Sequence, residues 1–196
     1  MGVAAQSTPS VSDAELVAQA RTGDRYAFGI LVERYQQVVF RTALVALRSR
    51  QEAEEVAQDA LVSAFEKLGG FRGDASFKTW LLTITWNRAM DRRRWAVDWL
   101  RRFVAPDGDH ADHASDEPSH ETRLIAKETR EEVRRLVIRL PARYREPLLL
   151  SVSGDHTFAD IGRILGIPTG TAKWRAMEGR RLLKQRLLNR GIVTTA

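Results

Sequence analysis

Apolar side chains along this chain recur at helical intervals, and nowhere do they alternate with polar ones for long enough to make a strand. The pattern predicts an all-α protein. A first helix is expected from the Ser12-Asp13 cap, with Glu15 behind it and Leu16, Val17 and Ala20 facing inward, up to a break at Gly23-Asp24. A longer helix follows, whose apolar positions Phe28, Leu31, Tyr35, Val39 and Leu44 give one sticky face. After Ser49 a third helix carries Ala53, Val56, Ala60, Leu61, Ala64, Phe65 and Leu68 on one side, with Glu52, Glu54, Glu55, Asp59 and Glu66 mostly on the other. The Gly69-Gly70 pair ends it. A fourth helix, with Trp80, Leu81, Ile84 and Ala89 on its buried face, fades between Val97 and Phe103.

The helical period then stops. Residues 104–122, VAPDGDHADHASDEPSHET, hold almost no large apolar side chain, so no core can form there. The period resumes from Arg123 with Leu124, Val133, Leu136, Val137 and Leu140 before Pro141, and a short helix is expected through Pro147 to Val152. The segment from Thr157 to Leu187 has the layout of a helix-turn-helix. Thr157 caps its first helix, Phe158, Ile161 and Leu165 line the inner face, Gly166 supplies positive φ in the turn, Ile167 plugs the core and Pro168 presets the second helix. Gly162 lets the two helices cross closely. The organisation expected is a tail over 1–12, a four-helix domain over 13–97, a linker over 98–122 and a second small helical domain over 123–192.

Charge sharpens this division. The chain is +6 overall, but residues 1–103 contribute +3, residues 104–122 contribute −6, and residues 123–196 contribute +9. A basic C-terminal third beside an acidic strip reads as a polyanion-binding module on a tether. Three of the four histidines, His110, His113 and His120, lie in the strip and are read as incidental, so no metal and no cofactor is expected. Without cysteine there are no disulfides or thiolate metal sites, and a reducing cytoplasm suits the sequence. No apolar run is long enough to insert in a membrane.

The most informative stretch is Phe71 to Trp95, FRGDASFKTWLLTITWNRAMDRRRW, which places three tryptophans, two phenylalanines and five arginines on one loop and the helix after it. Arg88, Arg92, Arg93 and Arg94 suit phosphates, and Trp86 and Trp95 offer faces for unpaired bases, each stack worth roughly 1–3 kcal/mol. Read alone, the stretch equally fits a buried aromatic helix with a solvated basic end. The helix-turn-helix adds a second helix from Thr169 bearing Lys173, Arg175, Arg180, Arg181, Lys184 and Arg186, the usual arrangement for reading duplex DNA.

Together the blocks at 53–68, 71–94 and 145–175, in this order and across the linker, resemble the extracytoplasmic function (ECF) sigma factors, small RNA polymerase sigma factors of the sigma-70 family. FRGD followed by TWL and then an Asn is a specific signature of that group. The resemblance implies an alternative sigma factor without a catalytic centre, which binds core RNA polymerase, double-stranded and melted promoter DNA, and an anti-sigma factor. It implies that Val56, Gln58, Asp59, Leu61, Val62 and Phe65 dock on the polymerase clamp. Phe71, Arg72, Gly73, Asp74, Ala75, Ser76, Lys78, Trp86, Asn87, Arg88, Arg92, Arg93 and Arg94 would take the minus-ten element, with a base flipped into the Arg72–Ser76 loop and Asn87 behind it. Thr169, Gly170, Thr171, Lys173, Trp174, Arg175, Met177, Arg180 and Arg181 would read the minus-thirty-five duplex, and the acidic linker would run through the polymerase cleft.

The chain departs from that pattern at the reading helix. Where relatives carry a Val-Lys/Arg-Ser-Arg run, this chain has Ala172, Lys173, Trp174 and Arg175, followed by Met177 and Glu178; Asp155 stands where glycine is common and Gly162 replaces the usual alanine. Two rival readings make different demands. A free-standing helix-turn-helix regulator would bind duplex DNA as a dimer without polymerase, and an enzyme on single strands would need more acids than Asp74 and Asp91 near Trp86.

Overall fold

A computed structural model describes residues 11–103 and 131–191, with side chains placed over 11–95 and 131–191. Every regular element among them is helical: α1 (Asp13–Arg21), α2 (Arg25–Leu47), α3 (Arg50–Lys67), a 3₁₀ turn (Leu68–Gly70), α4 (Phe77–Phe103), α5 (131–138), α6 (Ala142–Val152), α7 (Phe158–Leu165) and α8 (Thr169–Leu188). The expected linker core at 104–122 and the start of the second domain lie outside the described residues.

The helix starts follow from short polar side chains. Ser12 and Glu15 form a capping box on α1, Asp24 accepts from the amides of Tyr26 and Ala27, Ser49 accepts from Glu52, and Thr157 with Asp160 makes a second box on α7. The stops are less uniform. Gly166 takes the expected positive φ, at 65°, as the cap of α7, and Gly23, at the expected break after α1, has φ 102°. α2 ends on Arg48, a non-glycine residue at φ 64° whose amide donates to the Leu44 carbonyl at 2.9 Å. α3 does not end in a left-handed glycine cap: it tightens into the 3₁₀ turn through Gly69 and Gly70, neither of which has positive φ.

In the N-terminal domain α2, α3 and α4 enclose Leu31, Val39, Ala43, Ala53, Ala60, Ala64, Leu81, Leu82 and Ala89, all almost wholly buried, with α1 laying Leu16 and Val17 across one end. The alanines on α3 allow the helices to approach closely, and each buried leucine contributes roughly 1.5–3 kcal/mol. In the C-terminal domain α6 begins at Ala142, five residues before the expected Pro147, which is instead a buried residue inside the helix. α6 crosses α8 at Gly179, where a Cβ would come within 2.8 Å of the Tyr144 carbonyl oxygen, and α7 meets the start of α8 at Gly162, where a Cβ would lie 2.8 Å from the Ile167 carbonyl oxygen. Ile161, Ile164 and Ala172 join the same apolar cluster as the N-terminal core, because α7 packs along α4.

Candidate nucleic-acid interface

α4 and the loop before it build the first candidate surface. Ser76 caps the helix by accepting from the Thr79 amide at 3.1 Å, which fixes where the loop over Phe71–Ala75 arrives. Phe71 is held in an aromatic group with Phe77 and Trp80, at centroid distances of 6.0 and 5.1 Å. In front of it opens a cleft of about 350 Å³ lined by Gly70, Phe71, Arg72, Gly73, Asp74, Ala75, Thr79, Trp80, Thr83 and Arg163. The loop expected to take a base therefore does border a concavity. Thr79, Trp80 and Thr83 complete its wall; they share one stripe of α4, a spacing that marks them in the sequence although nothing there says the stripe faces a cleft. Asn87 lies one turn beyond Thr83 and is exposed, outside the lining.

Two sequence-based placements are corrected. Trp86 is only 5% exposed and belongs to the core of α2, α3 and α4, so its ring is not a face for bases. Val56 is 2% exposed because α3 turns 53, 56, 57, 60 and 64 inward, so it supports the outer face of α3 without forming part of it. On that outer face Gln58, Asp59, Val62 and Phe65 are exposed and Leu61 is half-buried. Val62 at 59% and Phe65 at 40% are large apolar side chains left in solvent, and Phe65 is steadied by an edge contact with Phe28 at 5.0 Å.

The cations of α4 are not idle. Arg88 donates to the Ser63 hydroxyl at 3.1 Å, Arg92 pairs with Glu55, Arg93 with Glu146 at 3.0 Å, and Arg94 with Asp91. Phosphates would have to compete with these partly exposed pairs, each worth about 0–1 kcal/mol. Trp95, by contrast, is 67% exposed.

The second surface is α8. Thr169, Gly170, Lys173, Trp174, Met177, Arg180 and Arg181 are exposed, Thr171 and Arg175 are half-buried, and Ala172, Ala176 and Gly179 face the core. Glu178 is tied to Arg181 by two hydrogen bonds at 2.8 and 2.7 Å, which hold its carboxyl below the usual range.

The two surfaces touch. Arg163 on α7 reaches the cleft and donates to the Asp74 carbonyl at 2.7 Å, Thr79 donates to Asp160 at 2.5 Å, Arg41 pairs with Asp155 at 3.0 Å, and the Lys78 ammonium donates to the Asp155 carbonyl. Burial works against ionising Asp160, but hydrogen bonds from the Thr157 and Thr79 hydroxyls outweigh it and keep the carboxyl below its ordinary value. His156 is pushed down by burial first and by Lys78 second, which outweigh the pull of Asp155 and Asp160. None of these contacts was legible in the sequence, since they join residues from opposite ends of the chain.

Residues 31–98 match the family model for sigma-70 region 2, and residues 130–183 match that for sigma-70 region 4. The chain is 35% identical to the ECF RNA polymerase sigma factor SigM of Mycobacterium tuberculosis, over 92% of this chain and 88% of that one. This chain is an ECF sigma factor of the sigma-70 family. The RNA polymerase sigma-H factor of Pseudomonas aeruginosa is a further relative, 32% identical over 89% of this sigma factor and 93% of its own length. The fold of the sigma factor is also that of RpoE from Bartonella quintana, solved in complex with the anti-sigma factor NepR: the TM-score is 0.65 at 23% identity, over 83% of this chain and 96% of that one. Region 2 of the sigma factor thus spans most of α2 through α4 and region 4 holds α6, α7 and most of α8, the two parts that carry the surfaces above.

Among the described residues no group of histidines and acids is arranged to hold a metal, and no helix is long and apolar enough to cross a membrane.

Proposed function

We propose that this alternative sigma factor works in the cytoplasm as a dissociable, non-catalytic initiation subunit that reads two promoter elements at once. The outer stripe of α3, with Gln58, Asp59, Leu61, Val62 and Phe65, docks on core RNA polymerase. α8 enters the major groove of the minus-thirty-five duplex by its N-terminal turns, and its cations neutralise phosphates in a salt-dependent way. The cleft over Gly70–Ala75 receives one base flipped from the melted minus-ten strand, with Asn87 and the arginines of α4 along the path of that strand. Flipping costs a few kcal/mol, which stacking against Phe71 and Trp80 and polar contacts from the loop offset.

The observation that carries this reading is the pairing, on one chain, of a base-sized cleft walled by aromatic and threonine side chains with a separate basic helix-turn-helix. A dimerising regulator needs only the second. An anti-sigma factor is the proposed inhibitory partner, on the strength of the complex solved for the similarly folded RpoE.

Transcription in vitro with purified core polymerase, this chain and fragmented genomic DNA tests the proposal. Discrete 5′ ends that require the chain and share two upstream elements are expected. Absence of core binding would instead favour a free-standing regulator.

A further inference from the structure

Trp174 is an anomaly on the surface of α8. The indole is 58% exposed and Met177, one turn on, is 61% exposed, although both stand among Lys173, Arg180 and Arg181 on a helix whose packing needs are already met by Ala172, Ala176, Gly179 and Leu187. An exposed indole gives up apolar burial that the fold does not recover elsewhere. It is nevertheless held in place. The ring meets the Tyr144 ring of α6 edge to face, with centroids 6.0 Å apart and planes at 68°, and the Arg143 guanidinium lies 4.7 Å over the other aromatic partner, Tyr144.

Tyr144 is itself pinned. Its carbonyl oxygen packs at Gly179, where any side chain would clash, and the next residue, Arg145, is buried and donates to the carbonyls of Ile138 and Leu140 at 3.0 and 3.2 Å. The indole is therefore propped from behind by a rigid element and faces outward on the same side as the cations. Glu178, the acid on this helix, is turned along the axis toward Arg181 by two hydrogen bonds, so it does not oppose a polyanion as a free charge.

We infer that Arg143, Tyr144 and Trp174 act as one packed unit in which Trp174 determines sequence by packing on a thymine methyl group of the upstream duplex. The inference rests on the proposed reading of that duplex by α8. An indole has one donor and no acceptor, so it cannot match both acceptors of a guanine edge or the acceptor–donor pair of an adenine edge. The apolar feature the major groove offers is the C5-methyl of thymine. Tyr144 is the positioning residue: it sets the tilt of the indole and makes no base contact itself.

The experiment uses holoenzyme assembled from core polymerase and the full chain, on a promoter found by mapping transcript starts, with its upstream element randomised and the transcripts sequenced. Thymine should be enriched at one upstream position. Replacing that thymine by deoxyuridine, which lacks only the methyl, should lower promoter binding roughly 4-fold, the worth of one methyl group. Trp174→Ser should lose both the enrichment and the deoxyuridine penalty, while Trp174→Phe keeps part of each. Tyr144→Leu should blur the preference and Tyr144→Phe should restore it, at equal thermal stability, whereas Lys173→Ala should weaken all sequences evenly.

If the wild type enriches upstream positions but Trp174→Ser keeps the thymine preference and the deoxyuridine penalty, the inference is overturned and the duplex-reading role of α8 stands. If initiation requires the chain yet no upstream position is enriched, that role fails and the inference falls with it.

Discussion

Arg163, on the first helix of the helix-turn-helix, donates from Nη1 to the backbone carbonyl of Asp74 at 2.7 Å, so a side chain of one domain helps line the cleft of the other. Together with the Arg41–Asp155 pair it ties region 4 to region 2 through both α2 and the loop before α4. A hydrogen bond to a neutral carbonyl contributes about 0.5–1.5 kcal/mol and a partly exposed ion pair about 0.2–1. Arg163→Ala with Arg41→Ala should therefore raise the separated population roughly 3- to 70-fold. Because the chain has no native cysteine, dyes placed through Ala18→Cys and Gln185→Cys report the separation directly. Unchanged energy transfer in the double variant would show that the remaining contacts along α4, apolar and polar, hold the domains without these two arginines.

The outer face of α3 and the end of the α4 stripe should be separable by mutation. Val62 is 59% exposed, so Val62→Lys should leave the melting temperature within about 2 °C while weakening polymerase binding at least about 10-fold. Asn87→Ala should do the reverse, leaving polymerase binding intact and slowing open-complex formation. Titration of labelled core polymerase and permanganate footprinting of the start region read the two effects independently. A shared defect would merge the two surfaces into one.

Gly162 tests packing. A methyl group there would lie 2.8 Å from the Ile167 carbonyl oxygen and 3.3 Å from the Thr169 backbone, neither of which can rotate away. Gly162→Ala should destabilise by about 1–3 kcal/mol in a thermal melt. Gly170→Ala meets nothing within 4 Å and should be neutral or stabilising by about 0.4–1 kcal/mol. Equal melting of the two variants would mean that the turn yields freely to a methyl group.

His156 gives a pH dependence. Its folded value is depressed below the ordinary value of about 6.5, so the folded state binds fewer protons than the unfolded one and stability rises with pH. The contribution is complete above about 6.5 and is lost as pH falls below it toward the depressed folded value. Lys78 and Arg41 oppose the proton, while Asp155 and Asp160 favour it. His156→Gln should flatten the decline in melting temperature between about pH 7 and pH 5. A variant that follows the wild-type curve would assign the slope to other groups.

Much of this molecule could be read from residue order because its signals are local. Ser12, Asp24, Ser49 and Thr157 start helices where their side chains reach amides two or three residues on, and Gly166 turns left-handed as its place in the helix-turn-helix requires. Arg48 ends α2 at positive φ without glycine, and α6 runs through a buried Pro147, both against the local residue preference. Trp86 was misplaced for a related reason: its neighbours Asn87 and Arg88 are exposed, and one step around a helix decides between core and solvent. Arg163 was missed as part of the cleft, since 89 residues separate it from Asp74.

Asp160 closes the capping box on α7 and also accepts from Thr79 of α4. One carboxylate therefore serves two structures, and a genetic screen would not resolve them at this codon. Substitutions there would score at once as weakened alleles of the helix-turn-helix and as released alleles of the domain contact. Second-site suppressors would fall into two unlinked groups, one around Thr157 and one around Thr79. Mapping those groups would tell, without any purified protein, which of the two loyalties the cell selects on.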